Sequence, residues 1–343
     1  MAASSKYPSV TFIIPTLNSG SVLIDCLQSI VDQKYPQNKI TILIVDGGST
    51  DSTLKITNIY RTQVIHNPLK TGESAKAFGI KKATTDFVAL VDSDNILPDT
   101  DWLSKMLIPL ISSPNTIGAE PWSYTYRPKG GFIERYSALT GVNDPYTLIA
   151  KNYDRQSLLS NTWTGLNLNI VDHQYYQLIR FNSTSPLPTI GANGTIYRSS
   201  IAKKYLSGDY FFDIDFLSTI LTKKKTLKFA KVKVGIIHTY CESSISKFNR
   251  KQLRRAVDLY TYRHDRTYPL TQNNLMPTIR FCLYVVTIFP MIYDTFRGFI
   301  KKPDPAWFFH PLACLITLYN YGTQTIKFKL GLLKPLDRKQ WHQ

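Results

Sequence analysis

The segment DFVALVDSDN at residues 86–95 decides the fold class of this chain. Its apolar half fits a short strand that is buried on both faces of a parallel sheet. The run ends at Asp92 and Asp94, two carboxylates one residue apart. Such a turn at a strand end can give oxygen ligands to Mg²⁺ or Mn²⁺, although Asp and Asn are also ordinary turn residues. The motif alone is therefore weak, and its surroundings must decide.

Strand and helix signals alternate over the first hundred residues. VTFIIPT and ITILIVD, at residues 10–16 and 40–46, repeat the buried-strand pattern, and a third strand is expected at 63–66. Apolar residues at helical spacing follow the first strand at 22–33, and another helix is expected at 74–83. This alternation predicts an α/β fold, an open and mostly parallel sheet flanked by helices.

Polar turns follow three of these strands, at residues 16–19, 46–51 and 92–95. Because ligands of open α/β sheets bind beyond the carboxyl ends of the strands, we expect the turns to meet at one edge. Asp46 can accept hydrogen bonds from a nucleobase or ribose, whereas Asp51 suits a helix cap. The sequence contains neither GxxxxGK nor GxGxxG after a strand, so it lacks the phosphate-loop and dinucleotide fingerprints.

The order of these segments resembles the family 2 glycosyltransferases, inverting enzymes of the GT-A fold. The matching segments are IIPTLNSG, VDGGSTDST, GESAKAFGIKKATTDFVALVDSDN and GANGTIYR, followed by an aspartate and a histidine. The resemblance covers about residues 8–255 and is most specific over the first hundred. It implies a hexosyltransferase that takes a UDP- or GDP-sugar donor, with Mn²⁺ or Mg²⁺ as its cofactor.

The resemblance also implies roles for individual residues. The turn after the first strand and Asp46 would hold the nucleotide, and the DxD segment would hold the metal and the diphosphate. The residues expected to bind the donor are Pro15, Thr16, Asn18, Asp46, Asp92, Ser93 and Asp94. His238 ends the strand pattern VGIIH, where an imidazole can approach the metal or the diphosphate. The metal is therefore expected at Asp92, Asp94 and His238, and a purely structural histidine is the equal alternative.

The catalytic base of the family is usually an aspartate that precedes a helix and a strand. The segment FFDIDF contains Asp213 and Asp215 without a preceding glutamate, and the spacing to the next strand favours Asp215. A structural role for the pair is the alternative. The segment IGANGTIYR resembles the acceptor-side loop of the family. A basic helix is expected later in the chain, where Arg side chains suit phosphate recognition, and the alternative is a solvated helix face. The acceptor-side residues are expected to be Gly191, Asn193, Arg250 and Lys251.

The charge of the chain is strongly asymmetric. Of a formal net charge of +17, the segment from Ile245 to the end carries sixteen Lys or Arg against five Asp or Glu. This asymmetry predicts an anionic partner, either nucleic acid, an anionic membrane or a phosphorylated substrate. The basic residues are mixed with apolar runs, and no nucleic-acid-binding module is recognisable, so we expect a membrane surface and no nucleic acid.

The composition changes from Met276 onward. FCLYVVTIFPMIY is too short for a membrane span, and AWFFHPLACLITLYNYGTQTI contains polar groups. Bordering aromatics and basic residues are typical of segments that lie in a membrane interface, and a helical hairpin packed on the rest of the chain or on a partner is the alternative. We divide the chain into a catalytic domain, 1–255, and a basic, aromatic, helical extension, 256–343.

The remaining features bear on location and on rival functions. The four cysteines show neither pairing nor metal-ligand spacing, and the first residues lack a signal-peptide pattern. We therefore expect a peripheral or monotopic enzyme on the cytoplasmic side of a membrane, with a glycan or lipid-linked acceptor. The alternatives are a nucleotidyltransferase, which is weakened by the lack of a glycine-rich basic loop, and a non-catalytic basic protein that binds membranes or nucleic acid.

Overall fold

The computed structural model describes residues 7–268 and 275–335, which form a mixed sheet flanked by helices. In these residues the strands are β1 (Val10–Thr16), β2 (Ile40–Asp46), β3 (Gln63–His66), β4 (Phe87–Leu90), β5 (Asn95–Ile96), β6 (Thr116–Tyr124), β7 (Asn169–Asp172), β8 (Tyr176–Asn182), β9 (Thr195–Arg198) and β10 (Thr226–His238). The helices are α1 (Leu23–Val31), α2 (Thr53–Ile59), α3 (Gly72–Lys82), α4 (Trp102–Ser112), α5 (Phe132–Thr140), α6 (Pro145–Ala150), α7 (Ser199–Tyr205), α8 (Phe216–Lys223), α9 (Ile245–Thr261), α10 (Met276–Val286), α11 (Phe289–Lys301) and α12 (His310–Lys329).

The sheet has the strand order β3-β2-β1-β4-β9-β6-β10-β8-β7. The first four strands in this order, β3, β2, β1 and β4, are parallel to one another, which confirms the predicted parallel sheet. Strand β9 runs antiparallel between β4 and β6, and β6 is parallel to β10. The carboxyl ends of β1, β2, β4, β6 and β10 therefore share one edge with the amino end of β9. We call this edge the site edge.

Helices cover both faces of the parallel part, which explains why β1 is almost continuously apolar. Its side chains alternate, so Phe12 and Ile14 join one buried core and Ile13 joins the core on the opposite face. Helix α3 lies very close to β1, because a Cβ added to Gly79 would stand 2.3 Å from Cγ2 of Ile13. The glycine thus allows the close approach of α3 to the sheet.

Strand β10 differs from its prediction. The alternation of Lys with apolar residues in KTLKFAKVKVGIIH predicts a strand with one solvated face, but residues 229–232 are all buried, so both faces of β10 are covered there. Lys231 is fully buried, and its Nζ lies 2.6 Å from Oε2 of Glu120 on β6. The prediction was wrong because a lysine with a buried carboxylate partner gives the same sequence pattern as a solvated lysine.

The C-terminal extension packs on the rest of the chain. Helix α9 runs unbroken through the predicted boundary at residue 255. Trp307 is fully buried in a core shared with α5 and α9, and Nδ1 of His310 lies 2.8 Å from the hydroxyl of Tyr136. Among the described residues no single helix is long and apolar enough to cross a bilayer, while α10 and α11, bent by 81°, pass together on length and composition alone.

Candidate functional site

The DxD turn lies at the site edge, directly after β4. Asn95 closes the turn, because its Oδ1 accepts the backbone N–H of Asp92 at 3.0 Å. The carbonyl of Asp94 accepts the backbone N–H of Thr239 at 3.0 Å, which ties the turn to the end of β10. Oδ1 of Asp92 lies 2.9 Å from Nζ of Lys76, a buried lysine of α3. The first carboxylate of the motif therefore already has a cationic neighbour.

Asp94 has two basic neighbours of its own. Its carboxylate lies 3.4 Å from Nε2 of His238 and 3.5 Å from Nζ of Lys251. Burial alone would favour the neutral acid, but His238 and Lys251 outweigh burial and lower the pKa of the Asp94 carboxyl. Asp94 is therefore ionised at neutral pH. His238 lies at the predicted edge, and Lys251 faces the DxD motif as well as the cleft.

The oxygen ligands of this turn fit a hard divalent cation whose coordination is completed by substrate. Within residues 7–268 and 275–335 no group of three or more His, Cys, Asp or Glu side chains is placed to hold a metal, so His238 does not complete a preformed three-ligand site. Asp92 and Asp94 supply carboxylate oxygens, and Mg²⁺ commonly uses one or two such groups together with substrate phosphates. The ammonium groups beside both carboxylates show that this position attracts positive charge.

The predicted nucleotide-binding turns meet beside the DxD turn. Asp46 accepts hydrogen bonds from the Thr16 hydroxyl at 2.8 Å and from the backbone N–H groups of Gly48 and Ser49 at 2.8 Å. Asn18 is linked to the same loop, because its Oδ1 accepts the backbone N–H of Thr50 at 2.9 Å. The 4% exposure of Asp46 and these bonds show that its carboxylate shapes the loop.

A cleft of about 780 Å³ opens in front of the motif and contains most of the predicted site. The predicted residues that line it are Pro15, Asp92, Ser93, Asp94, Gly191, Asn193, Asp213, His238 and Lys251. Asp213 lies next to the predicted acceptor loop, since a Cβ added to Gly191 would stand 3.6 Å from its Oδ2. Burial raises the pKa of the Asp213 carboxyl, and the nearby Lys76 ammonium only partly offsets this effect.

Asp215, which the spacing favours as the base, does not line this cleft. Its carboxylate accepts two hydrogen bonds from Arg266, at 3.0 and 2.8 Å. It also accepts the backbone N–H groups of Thr267 and Tyr268, at 2.7 and 2.6 Å. With four donors and 2% exposure, Asp215 anchors the segment that follows α9. Of the two aspartates, Asp213 therefore lines the cleft and Asp215 does not.

Arg250 also lies outside the cleft, as do Thr16, Asn18 and Asp46 of the predicted nucleotide-binding turns. It is exposed on α9, while Lys251, Arg254 and Arg255 of the same helix line the cleft. The helical turn of about 100° per residue separates the direction of Arg250 from that of Lys251. Arg250 was included because the sequence alone did not identify which residues of α9 line the cleft.

Two elements beside the predicted site residues escaped the sequence analysis. The first is Lys76, whose only sequence signal is a lysine among the small residues of GESAKAFG. The second is a fully buried cluster beneath the acceptor loop, in which Oε1 and Oε2 of Glu120 contact Arg155 at 2.5 Å and Lys231 at 2.6 Å. Two hydrogen bonds connect this cluster to the predicted acceptor loop. Glu120 accepts the N–H of Gly191 at 3.3 Å, and Arg155 donates to the carbonyl of Asn193 at 3.0 Å.

Comparisons with known proteins find that this chain is similar to glycosyltransferases. Glycosyltransferase AglE of Haloferax volcanii is 26% identical over 155 residues, which are 43% of this chain and 51% of that protein. Glycosyltransferase GlyG of Streptococcus pneumoniae is 35% identical over 96 residues, which are 26% of this chain and 31% of that protein. The chain thus spans about half, or less, of the length of these curated relatives.

The fold and the family can be stated from two further comparisons. A solved structure described as a mycobacterial protein superimposes with a TM-score of 0.50 at 14% identity, over 78% of this chain and 76% of that chain. The sequence model described as "Glycosyl transferase family 2" matches residues 11–206, which is more than half of the chain and includes the DxD turn and the acceptor loop. This chain therefore belongs to glycosyl transferase family 2.

Proposed function

We propose that this chain transfers a sugar from a UDP- or GDP-sugar to a glycan or lipid-linked acceptor, with inversion at the anomeric carbon. One observation carries the proposal: a single cleft at the site edge contains Asp92, Asp94 and Asp213 together with the loop of Gly191 and Asn193. Two carboxylates suit a cation and a diphosphate, and a third carboxylate a short distance away suits a base. The cleft thus has one position for the cation and the diphosphate, at Asp92 and Asp94, and another for the base, at Asp213.

The reaction can be written with these residues. The acceptor oxygen forms a bond to the anomeric carbon, and the bond from that carbon to the diphosphate oxygen breaks, so that the nucleoside diphosphate leaves with the electron pair. Asp213 accepts the proton of an acceptor hydroxyl, and an ionised phosphate acceptor needs no such transfer. Mn²⁺ or Mg²⁺ held by Asp92 and Asp94 would neutralise charge on the leaving diphosphate. Asp46 shapes the turn that is proposed to bind the nucleotide.

Thermal stabilisation tests the donor and metal assignment. We expect UDP or GDP with Mn²⁺ or Mg²⁺ to raise the melting temperature, and EDTA to remove the effect, because a ligand that binds only the folded state stabilises it. Asp94→Asn should lower metal-dependent release of nucleoside diphosphate at least about a hundredfold. Asp101→Asn is the matched control, since Asp101 is half exposed and pairs with Lys105. Wild-type turnover in the Asp94 variant would refute the assignment.

We also propose that the extension binds the cytoplasmic surface of an anionic membrane. Two features of the helices support this proposal. Large apolar side chains of α10 to α12 are exposed, among them Phe289 at 83%, Ile300 at 79% and Val286 at 69%. The same helices carry exposed basic residues, which are Arg280, Arg297, Lys327 and Lys329. An apolar face with basic borders suits the interface of an anionic bilayer. The free state of all four cysteines suits a reducing compartment.

Vesicle sedimentation tests the membrane proposal. Phe289→Ser should weaken binding to vesicles that contain phosphatidylglycerol about tenfold, because one buried aromatic side chain is lost from the bilayer. Ile59→Ser is the matched control, since Ile59 is 75% exposed on α2, far along the sequence from the extension. Equal binding by both variants would refute the proposed face. Binding should also fall as salt is raised.

A further inference from the structure

The cleft continues well beyond the carboxylates into a part with a different lining. Helices α9, α10 and α12 form its far end. The apolar residues of this end, which we call the apolar arm, are Leu259, Phe281, Cys282, Leu318, Gly322 and Ile326. Hydroxyl groups such as those of Tyr321 and Thr325 are interspersed among them. The donor needs the polar end of the cleft, so the apolar arm is available to another group.

Gly322 marks open space inside the apolar arm. It lies within the long helix α12, where glycine weakens a helix relative to alanine. The usual structural reason for such a glycine is close packing, as at Gly79. A Cβ added to Gly322 would instead meet no atom of the described residues within 4 Å. The space beside Gly322 is therefore free for a ligand.

The apolar arm is continuous with the exposed apolar surface of the extension. Ile326 lines the arm and is also 59% exposed. Cys282 lines the arm from α10, and its neighbour Leu283 is 59% exposed. Phe289 lies exposed at the start of α11. An alkyl chain in the arm can thus leave the protein along an apolar surface, where it avoids contact with water.

Basic side chains lie between the two ends of the cleft. Along α9, Lys251 contacts Asp94 at the polar end and Leu259 lines the apolar arm. Arg254 and Arg255 line the cleft between these two positions. Guanidinium groups match the geometry of phosphate oxygens. The cleft-lining residues of α9 are therefore, in order, a lysine beside Asp94, two arginines and the apolar Leu259.

We propose that the apolar arm binds the hydrocarbon chain of an amphiphilic acceptor whose phosphate head lies at Arg254 and Arg255. This inference rests on the proposed sugar transfer, and it specifies the acceptor class as a lipid phosphate. The head would then lie near Asp94, while the chain reaches the apolar surface at Ile326. A free phosphorylated sugar has the same head chemistry but cannot fill the apolar arm.

Thiol labelling of Cys282 in the full chain tests this inference directly. The other three cysteines are buried, so a maleimide should modify Cys282 first in the folded protein. Dodecyl phosphate below its micelle-forming concentration should slow this labelling about tenfold at about ten times its Kd. Inorganic phosphate should leave the labelling rate unchanged, because it cannot cover the arm. Equal protection by both probes, or protection by neither, would overturn the inference.

Filling the arm provides the second measurement. Gly322→Leu should raise the half-protecting concentration of dodecyl phosphate about tenfold or more, because the added side chain takes the space of the alkyl chain. Thr323→Leu is the matched control on the same helix, since Thr323 does not line the cleft. Both variants should retain stabilisation by nucleotide and metal. If dodecyl phosphate protects the Gly322 variant as well as the wild type, only the proposed role of the apolar arm is refuted. If nucleotide and metal do not stabilise the wild type, the proposed function itself is refuted.

Discussion

Replacing Asp213 and Asp215 in turn should separate catalysis from stability. The Asp213 carboxylate faces the cleft, and its Oδ1 accepts the backbone N–H of Ile214 at 2.8 Å. An amide oxygen can accept the same bond, so Asp213→Asn should fold normally. With water or a hydroxyl as the acceptor, the amide cannot take the proton of the attacking oxygen, and a positioned general base contributes about 10²–10⁴-fold to the rate. We therefore expect a loss of at least about a hundredfold in turnover.

The Asp215→Asn variant should show the opposite behaviour. It removes the negative charge from a carboxylate that binds Arg266 and two backbone N–H groups. Loss of one partner from a buried ion pair costs about 3–5 kcal/mol. Asn keeps one oxygen, and the Arg266 side chain is 15% exposed, so we take about 3 kcal/mol. At about 2 °C per kcal/mol, the melting temperature should fall by about 6 °C.

The assay combines calorimetry with release of nucleoside diphosphate from the donor that stabilises the protein. Release with metal present reports the chemistry even when water is the acceptor. The reasoning predicts a slow, stable Asp213 variant and a less stable Asp215 variant whose rate stays within about tenfold of wild type. A slow Asp215 variant with an unchanged melting temperature would show that the base has been assigned to the wrong carboxylate.

Three further predictions concern the charges around the site. Lys76→Met should tighten Mn²⁺ binding in the presence of nucleotide about tenfold, because it removes the cation 2.9 Å from Asp92. Weaker Mn²⁺ binding in this variant, measured by calorimetry, would contradict the prediction. Glu120→Gln should lower the free energy of unfolding by about 3–5 kcal/mol, because two buried cations lose their carboxylate; an unchanged urea midpoint would argue against it. Turnover should fall as the pH falls through the raised pKa of Asp213, and a wild-type acidic limb in Asp213→Asn would exclude that residue.

The first half of the fold could be predicted because its signals are local. Strands β1 and β3 have the predicted bounds, since periodicity and turn residues determine them within a few positions. The meeting of the turns at Asp46 and Asp92 follows from the general geometry of parallel strands. The helix predicted at 74–83 begins two residues earlier, at Gly72, where the side chain of Thr71 caps its first turn.

The second half depends on contacts between residues that are distant in sequence. Glu120 and Lys231 are 111 positions apart, and each would be an unlikely core residue without the other. Their pairing places β10 beside β6 and buries a strand that the sequence describes as half solvated. Periodicity records the apolar side chains of a strand but not the identity of its neighbours. The buried ion cluster was for this reason outside the reach of pattern analysis.

The choice between Asp213 and Asp215 shows the same limit at the scale of one turn. The two residues lie in a 3₁₀ turn, Asp213–Asp215, in which each residue advances by about 120°. Side chains two positions apart therefore point in different directions, and only one can face the cleft. The residue that turns inward is decided by Arg266, which lies 51 positions away and pairs with Asp215. Spacing to the next strand favours Asp215 and carries no information about this distant arginine, so it could not show that Asp213 is the aspartate that lines the cleft.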